Sequence, residues 1–180
     1  MTRLSTLLIA AAAIALGGAS ASAQQALRPQ AFFGTWSGGG VAENRDSITF
    51  PQTARDTDVT IAAAGNGFAV TWTSVIRGGG DPRAPNERRV TTSRSFVPSG
   101  TNVWRCTESG DPTAGKEACW ARIRGQTLTV YQMAMMEDGG YIVQQYDRTL
   151  SGTGMDLRYT QLRGQHNVRV VAAKLVKTGN

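Results

Sequence analysis

Hydrophobic and polar residues alternate along most of the chain, and short turn-forming sequences interrupt the alternation at frequent intervals. The clearest case is the segment 68–77, in which one set of alternate positions is apolar: Phe68, Val70, Trp72 and Ile76. A period of two is typical of a strand that buries one face. The tight-turn sequence Gly65-Asn66-Gly67 precedes this segment. The pattern therefore predicts strands, and no later segment has a convincing helical period.

Ten strands are predicted in this way, at 35–42, 58–64, 68–77, 88–97, 103–108, 119–124, 126–136, 141–151, 155–163 and 167–177. Their connections are short, and short connections favour antiparallel neighbours. Many short-linked strands protect their edges best by closing on themselves. We therefore predict an all-β fold, an antiparallel up-and-down barrel of about 8–10 strands. A two-sheet sandwich is the alternative.

The first residues have the features of a secretory signal peptide. Arg3 supplies a positive start, an apolar run extends from Leu7 to Leu16, and Ala21-Ser22-Ala23 is a small-x-small cleavage sequence. Such a run spans only about 15 Å as a helix, which is short of a ~30 Å hydrocarbon core. We expect cleavage after Ala23 and a periplasmic or secreted protein, with no membrane span in the mature chain.

The predicted organisation is a signal peptide at 1–23, an N-terminal extension at 24–31 and one barrel domain at 32–180. An outer-membrane barrel would need an apolar lipid-facing side on every strand. The segment 88–97 has polar residues on both faces. A water-soluble barrel is therefore the preferred interpretation.

Composition excludes several function classes. The chain has 180 residues and a net charge of +6, from nineteen Lys and Arg against thirteen Asp and Glu; removing residues 1–23 takes away one Arg and no acid and leaves +5. The arginines are scattered singly rather than clustered, which argues against nucleic-acid binding. Two Cys and one His argue against a clustered zinc site. No metal and no cofactor are predicted.

Cys106 and Cys119 flank a predicted hairpin loop. Antiparallel pairing of the strands that carry them would place the two residues opposite one another, within bridging distance. In an oxidising compartment they should form a disulfide. Because no Cys-x-x-Cys spacing is present, a structural role is expected rather than a redox role.

Candidate ligand-binding residues come from the predicted strands. Phe68, Trp72, Met133 and Met135 are candidate lining residues of an interior cavity. Tyr146 and Arg148 share one strand face with Gln144 and would anchor a ligand carboxylate if that face points inward. If it points outward, they are ordinary solvated side chains. No nucleophile elbow, His-Glu-x-x-His pair or Cys/His arrangement is present, so no catalytic residue and no enzymatic activity are predicted.

Two loops share one sequence, Gly80-Asp-Pro and Gly110-Asp-Pro, and two predicted strands separate them. In a meander both loops lie at the same end of the barrel, as do Glu137 and Asp138. Long loops at one barrel end commonly frame an entrance. Turn formation by Asp-Pro alone is the simpler explanation.

The opening tripeptide, from Gly34 to Trp36, resembles the start of lipocalins and other calycin barrels. The resemblance implies a barrel in which Trp36 packs across the closed end, with Gly34 as a structural partner. It also implies a basic residue that covers the Trp, for which Arg169 and Lys174 are candidates. The later family motif with Thr-Asp and Tyr is missing. The tripeptide is also similar to avidin-type barrels and to bacterial periplasmic metalloprotease inhibitors.

Two functions are consistent with these features. The leading hypothesis is an exported, lipocalin-like, non-enzymatic barrel that binds a small apolar or amphipathic molecule. The alternative is a periplasmic protein-binding module without a ligand cavity, such as a protease inhibitor or an envelope interaction protein. Its contact surface would be the segment 24–33 or the paired Gly-Asp-Pro loops. The presence of a cavity of at least ~300 Å³ distinguishes the two.

Overall fold

The computed structural model describes residues 25–49, 52–77 and 87–180. The predicted signal peptide at 1–23 lies outside these residues. The strands are β1 (Gly34–Asn44), β2 (Gln52–Ala64), β3 (Gly67–Arg77), β4 (Glu87–Gly100), β5 (Val103–Cys106), β6 (Ala118–Arg124), β7 (Thr127–Met135), β8 (Tyr141–Ser151), β9 (Gly154–Arg163) and β10 (His166–Gly179). Two short 3-10 turns, Pro29–Phe32 and Pro112–Ala114, are the helical elements in this part of the chain. Neither they nor any other helix there has the length and apolarity to cross a membrane.

The ten strands form one closed antiparallel barrel in up-and-down order. Each strand pairs with the next along the chain, and β1 pairs with β10 to close the circle. The predicted barrel is confirmed and the sandwich alternative is wrong. All ten predicted segments are strands, but β2 begins at Gln52, earlier than its weak alternation indicated.

One end of the barrel is filled with side chains, and we call it the closed end. It receives the chain after Pro29–Phe32 and contains the short β2–β3, β4–β5, β6–β7 and β8–β9 turns. The aromatic rings of Phe68 and Phe96 stack with centroids 5.0 Å apart, and Trp104 meets Phe68 edge-on at 5.5 Å. Phe32, the first residue of the predicted barrel domain, is fully buried in the same core. This end therefore has no room for a ligand.

Cys106 and Cys119 form the predicted disulfide, with their Cα atoms 5.3 Å apart. Both side chains are buried inside the barrel. They lie opposite one another on neighbouring strands, because Trp104 pairs with Ala121 and Arg105 pairs with Trp120. The bridge encloses the loop 107–118 at the opposite end, which we call the open end.

The close approach of β10 requires glycine at several positions of β1, as Gly34 and Gly40 show. Gly34 has a φ of +130°, and a Cβ there would overlap the Lys177 side chain and the Gly179 carbonyl oxygen. At Gly40 a Cβ would overlap the carbonyl oxygen of Ala172. The absence of side chains allows the two strands to curve tightly where the barrel closes.

Replacing Gly40 with alanine should therefore destabilise the protein by about 1–3 kcal/mol, the range for overpacking a filled site. Urea unfolding followed by circular dichroism measures the change. Gly152→Ala is the matched control, because nothing lies within 4 Å of a Cβ at that position, and it should change stability by less than about 0.5 kcal/mol. Equal stability of the two variants would contradict this account of the β1–β10 seam.

Candidate functional site

The open end contains a cavity of about 400 Å³ inside the barrel. Its walls come from β2, β3, β4, β7, β8, β9 and β10, together with the end of the loop before β6. Among its lining residues are Thr57, Trp72, Ser74, Gln132, Gln144, Tyr146, Leu157, Tyr159 and Gln161. A second groove, of about 660 Å³, lies mainly on the outer face of β7 to β10 and β1. The cavity is mainly polar, unlike the closed end.

Three cationic side chains line this cavity near its opening, and we call Arg55, Arg88 and Arg169 the mouth arginines. Arg55 is 8% exposed, and its Nε has no hydrogen-bond partner in the described parts of the chain. Burial lowers the pKa of Arg55, and the charges of Arg169 and Arg88 lower it further. Arg169 Nε donates to Asn44 Oδ1 at 2.7 Å, which is an amide and adds no negative charge. The mouth arginines therefore create a positive potential.

One carboxylate belongs to the same lining and is already engaged. Glu117 Oε1 accepts hydrogen bonds from Arg94 Nη2 at 2.9 Å and from Gln132 Nε2 at 3.1 Å. Glu117 lies just before β6, at the end of the loop that the disulfide encloses. This contact neutralises Arg94, whereas the mouth arginines have no comparable acid among the described residues.

A tyrosine–glutamine network forms one wall of the cavity. Gln144 Oε1 accepts from Tyr146 Oη at 2.9 Å and from Tyr159 Oη at 3.2 Å. The two tyrosine rings contact each other with centroids 4.8 Å apart. Burial raises the pKa of Tyr146 to about 12 and also raises the pKa of Tyr159. Both phenols are therefore neutral hydrogen-bonding groups at physiological pH.

Trp72 and Tyr146 separate the cavity from the closed end. Trp72 belongs to β3 and Tyr146 to β8, strands on opposite sides of the ten-strand circle. Their ring centroids lie 4.9 Å apart, so the two side chains meet in the middle of the barrel. Arg148 lies beneath them and has no solvent exposure. Its guanidinium carbon is 5.3 Å from the Trp72 ring centroid and 5.5 Å from that of Tyr146.

The structure brings together only part of the predicted ligand-binding set. Trp72 and Tyr146 line the cavity, and Arg148 points inward on the same face as Tyr146. Phe68 is buried in the closed-end core and does not reach the cavity.

Met133 and Met135 do not line the interior, so the prediction for these two residues is corrected. On β7 the inward positions are Leu128, Val130 and Gln132, so the two methionines point outward. Met133 pairs with Ala118 and Val143 on the outer face, and Met135 is 40% exposed.

Sequence reasoning missed the mouth arginines. Arg55 stands at the same strand parity as Val59 and Ile61, which are buried, and this parity was the available signal. Arg94 likewise shares the face of Phe96. The burial of Arg55 conflicts with the general rule that arginine stays at the surface.

The loops at the open end are only partly described. Glu137 and Asp138 lie in the β7–β8 connection at this end, as predicted from the meander. The loop that contains Gly110, between β5 and β6, lies at the same end. The first Gly-Asp-Pro loop lies in residues 78–86, outside the described residues. Within the described ranges, no group of three or more His, Cys, Asp or Glu residues is arranged to hold a metal ion.

The closed end shows where the lipocalin-like resemblance applies. Trp36 is 6% exposed at that end, and Lys177 Nζ lies 5.7 Å from its ring centroid. Lys177 therefore covers Trp36, whereas Lys174 points outward and Arg169 lies at the open end. The closed antiparallel barrel is consistent with a lipocalin-like barrel in general. No protein-family model matches the chain, and no curated protein matches it at a significant level.

Proposed function

We propose that the protein is an exported, lipocalin-like binding protein that takes a small amphipathic anion into the open half of its barrel. The observation that carries the proposal is the excess of guanidinium groups in the cavity. The mouth arginines line one cavity, where the charges of Arg169 and Arg88 act on Arg55, and the one carboxylate in the described lining, that of Glu117, is held by Arg94 and Gln132. A carboxylate, sulfonate or phosphate accepts paired hydrogen bonds from such groups and relieves their mutual repulsion.

The lining also supports an apolar part in the ligand. Trp72, Leu157, Val171 and Ile76 contribute hydrophobic surface next to the polar groups. At about 400 Å³ the cavity lies within the range of small-molecule sites. A purely apolar ligand would cover the mouth arginines without offering the buried Arg55 Nε an acceptor, which is unfavourable. Of the two ligand types predicted from the sequence, apolar and amphipathic, the charge of the lining thus favours the amphipathic one.

The proposed location rests on the sequence and on the disulfide, and the proposed mode of action rests on the groups that line the cavity. The segment 1–23 supports export, and the disulfide is suited to an oxidising compartment. Binding without catalysis is supported by the engagement of Glu117 and by the neutral state of Tyr146, which leave no free general base among these groups.

Fluorescence titration with two related dyes tests the proposal. 8-Anilinonaphthalene-1-sulfonate has an aromatic body and one anionic group, and N-phenyl-1-naphthylamine has the same body without the charge. We expect saturable, one-to-one binding of the sulfonate that weakens as NaCl is raised. The neutral dye should bind about tenfold more weakly, a difference of ~1.4 kcal/mol.

Substitutions locate the binding. Arg55→Gln should weaken sulfonate binding by about ten- to a hundredfold, because a hydrogen bond to a charged group contributes roughly 1.5–3 kcal/mol. Arg105→Gln is the matched control, because Arg105 is exposed on the outer face of β5, and it should leave the affinity unchanged. Equal affinity for both dyes, or equal effects of the two substitutions, would contradict the proposal. No binding at all would favour the protein-binding alternative.

A further inference from the structure

Arg148 has a charged side chain that the rest of the barrel does not satisfy. It has no solvent exposure, and none of its three guanidinium nitrogens has a hydrogen-bond partner within the described residues. The ring faces of Trp72 and Tyr146 provide cation–π contacts. They do not replace the oxygen acceptors that a guanidinium with five N–H donors finds in water. A buried cation without acceptors is costly, so an acceptor that reaches it would be bound favourably.

The nearest acid does not serve as this acceptor. Asp147 precedes Arg148 by one position in β8, so its side chain points to the outer face, away from Arg148. Its carboxylate accepts from Thr129 Oγ1 at 2.7 Å and from Gln145 Nε2 at 2.8 Å. Burial lowers the pKa of Arg148 to about 10, while Tyr146 and Asp147 oppose the change. The guanidinium is therefore still protonated at neutral pH.

Arg148 lies one side-chain layer below the cavity. Trp72 and Tyr146 contact its guanidinium and also line the cavity, so a shift of these two rings would open the cavity to Arg148. Val59 pairs with Trp72 and lies four residues along β2 from Arg55. Four residues of a strand span roughly 13 Å. The cavity thus lies between two cationic regions, the mouth arginines and Arg148, with aromatic and aliphatic surface between them.

We propose that the ligand is a dianion with an apolar spacer, whose one acidic group binds the mouth arginines and whose other reaches Arg148 between the Trp72 and Tyr146 rings. This inference rests on the proposed function, because it assigns a second contact to a ligand in the same cavity. A carboxylate can accept two parallel hydrogen bonds from one guanidinium. A monoanion satisfies the mouth arginines without any movement of the rings and leaves Arg148 as it is.

Isothermal titration calorimetry with octanoate and with suberate, its dicarboxylate counterpart, tests the inference. The full mature protein should bind suberate at least about tenfold more tightly than octanoate. Arg148→Met should reduce suberate affinity to the level of octanoate and leave octanoate binding unchanged. Arg158→Met is the matched control, because Arg158 has the same charge but is exposed on the outer face of β9. It should preserve the preference for suberate.

The Arg148→Met variant should fold, because methionine fills similar space and removes a buried charge. Its melting temperature should equal or exceed that of the wild type, and Arg148→Gln is a second variant if it does not. Equal binding of both ligands by the wild type would overturn the dianion assignment, with bound water then the partner of Arg148. So would an equal loss of both ligands in Arg148→Met. Binding of neither ligand would overturn it as well, and the dye titration shows independently whether the proposed function also fails.

Discussion

Replacing Trp36 with alanine is expected to lower the free energy of unfolding by roughly 3–5 kcal/mol, the range for truncating a buried aromatic residue. The ring closes one end of the barrel and is 6% exposed. Its Nε1 donates to the carbonyl oxygen of Phe32 at 3.0 Å, which ties the N-terminal turn to β1. Alanine would leave a large void and remove the donor of a buried carbonyl group. Urea unfolding of the mature protein measures the loss.

Two further variants separate the contributions to this effect. Trp36→Phe keeps most of the ring but removes the N–H donor, so it should cost less than alanine. Trp120→Ala removes a tryptophan from the outer face of β6, where its ring stacks on Tyr131 with centroids 5.0 Å apart. It should cost only about 1 kcal/mol. A loss below about 1 kcal/mol for Trp36→Ala would contradict the core position of Trp36 and the lipocalin-like comparison.

The strands could be predicted from the sequence because each is encoded locally. In β3 the apolar positions Phe68, Val70 and Trp72 point inward, as their period of two required. Closure into a barrel was a weaker prediction, because it depends on the pairing of β1 with β10. That pairing joins the two ends of the domain. It uses glycines such as Gly40, whose role becomes visible only when the Ala172 backbone lies against it.

The inward face of β7 could not be predicted with the same success. Leu128 and Val130 alternate with Tyr131 and Met133, so both faces of this strand contain large apolar side chains. The inward face includes Gln132, a residue that sequence rules place outside. Gln132 is buried because its amide donates to Glu117, which comes from a loop that precedes another strand. A long-range hydrogen bond therefore decided what the local pattern left ambiguous.

The arginines of the cavity show the same limit. The alternation at Tyr146 and Arg148 was recognised, but their face could not be assigned, because unpaired arginines are seldom buried. In the barrel, the rings of Trp72 and Tyr146 surround the Arg148 cation from opposite walls. Residues that break a local rule often belong to functional sites. Arg55 and Arg148 break this rule most clearly, because they are the described residues whose buried side-chain nitrogens lack partners.

Replacing Cys106 with serine is expected to lower the free energy of unfolding by roughly 3 kcal/mol, the contribution of a loop of this length in the chain-entropy model. The disulfide joins positions 13 residues apart, and both half-cystines are buried. Without the bond, the unfolded chain regains the freedom that the closed loop restricts. Thermal melts in oxidising buffer measure the difference, and wild-type protein in reducing buffer should melt close to the variant.

The loop inside this bridge also delivers Glu117 to Arg94, so loss of the bond and loss of the ion pair must be separated. Glu117→Gln removes the charge and keeps the disulfide. Because Arg94 and Glu117 are 27% and 33% exposed, their ion pair should contribute at most about 1 kcal/mol. A larger effect of Cys106→Ser than of Glu117→Gln would assign the stability to the covalent link. Equal effects of the two substitutions would contradict this assignment, and the open end would then depend on the contact between Glu117 and Arg94. An unchanged melting temperature on reduction, or two titratable thiols in the exported protein, would also contradict it.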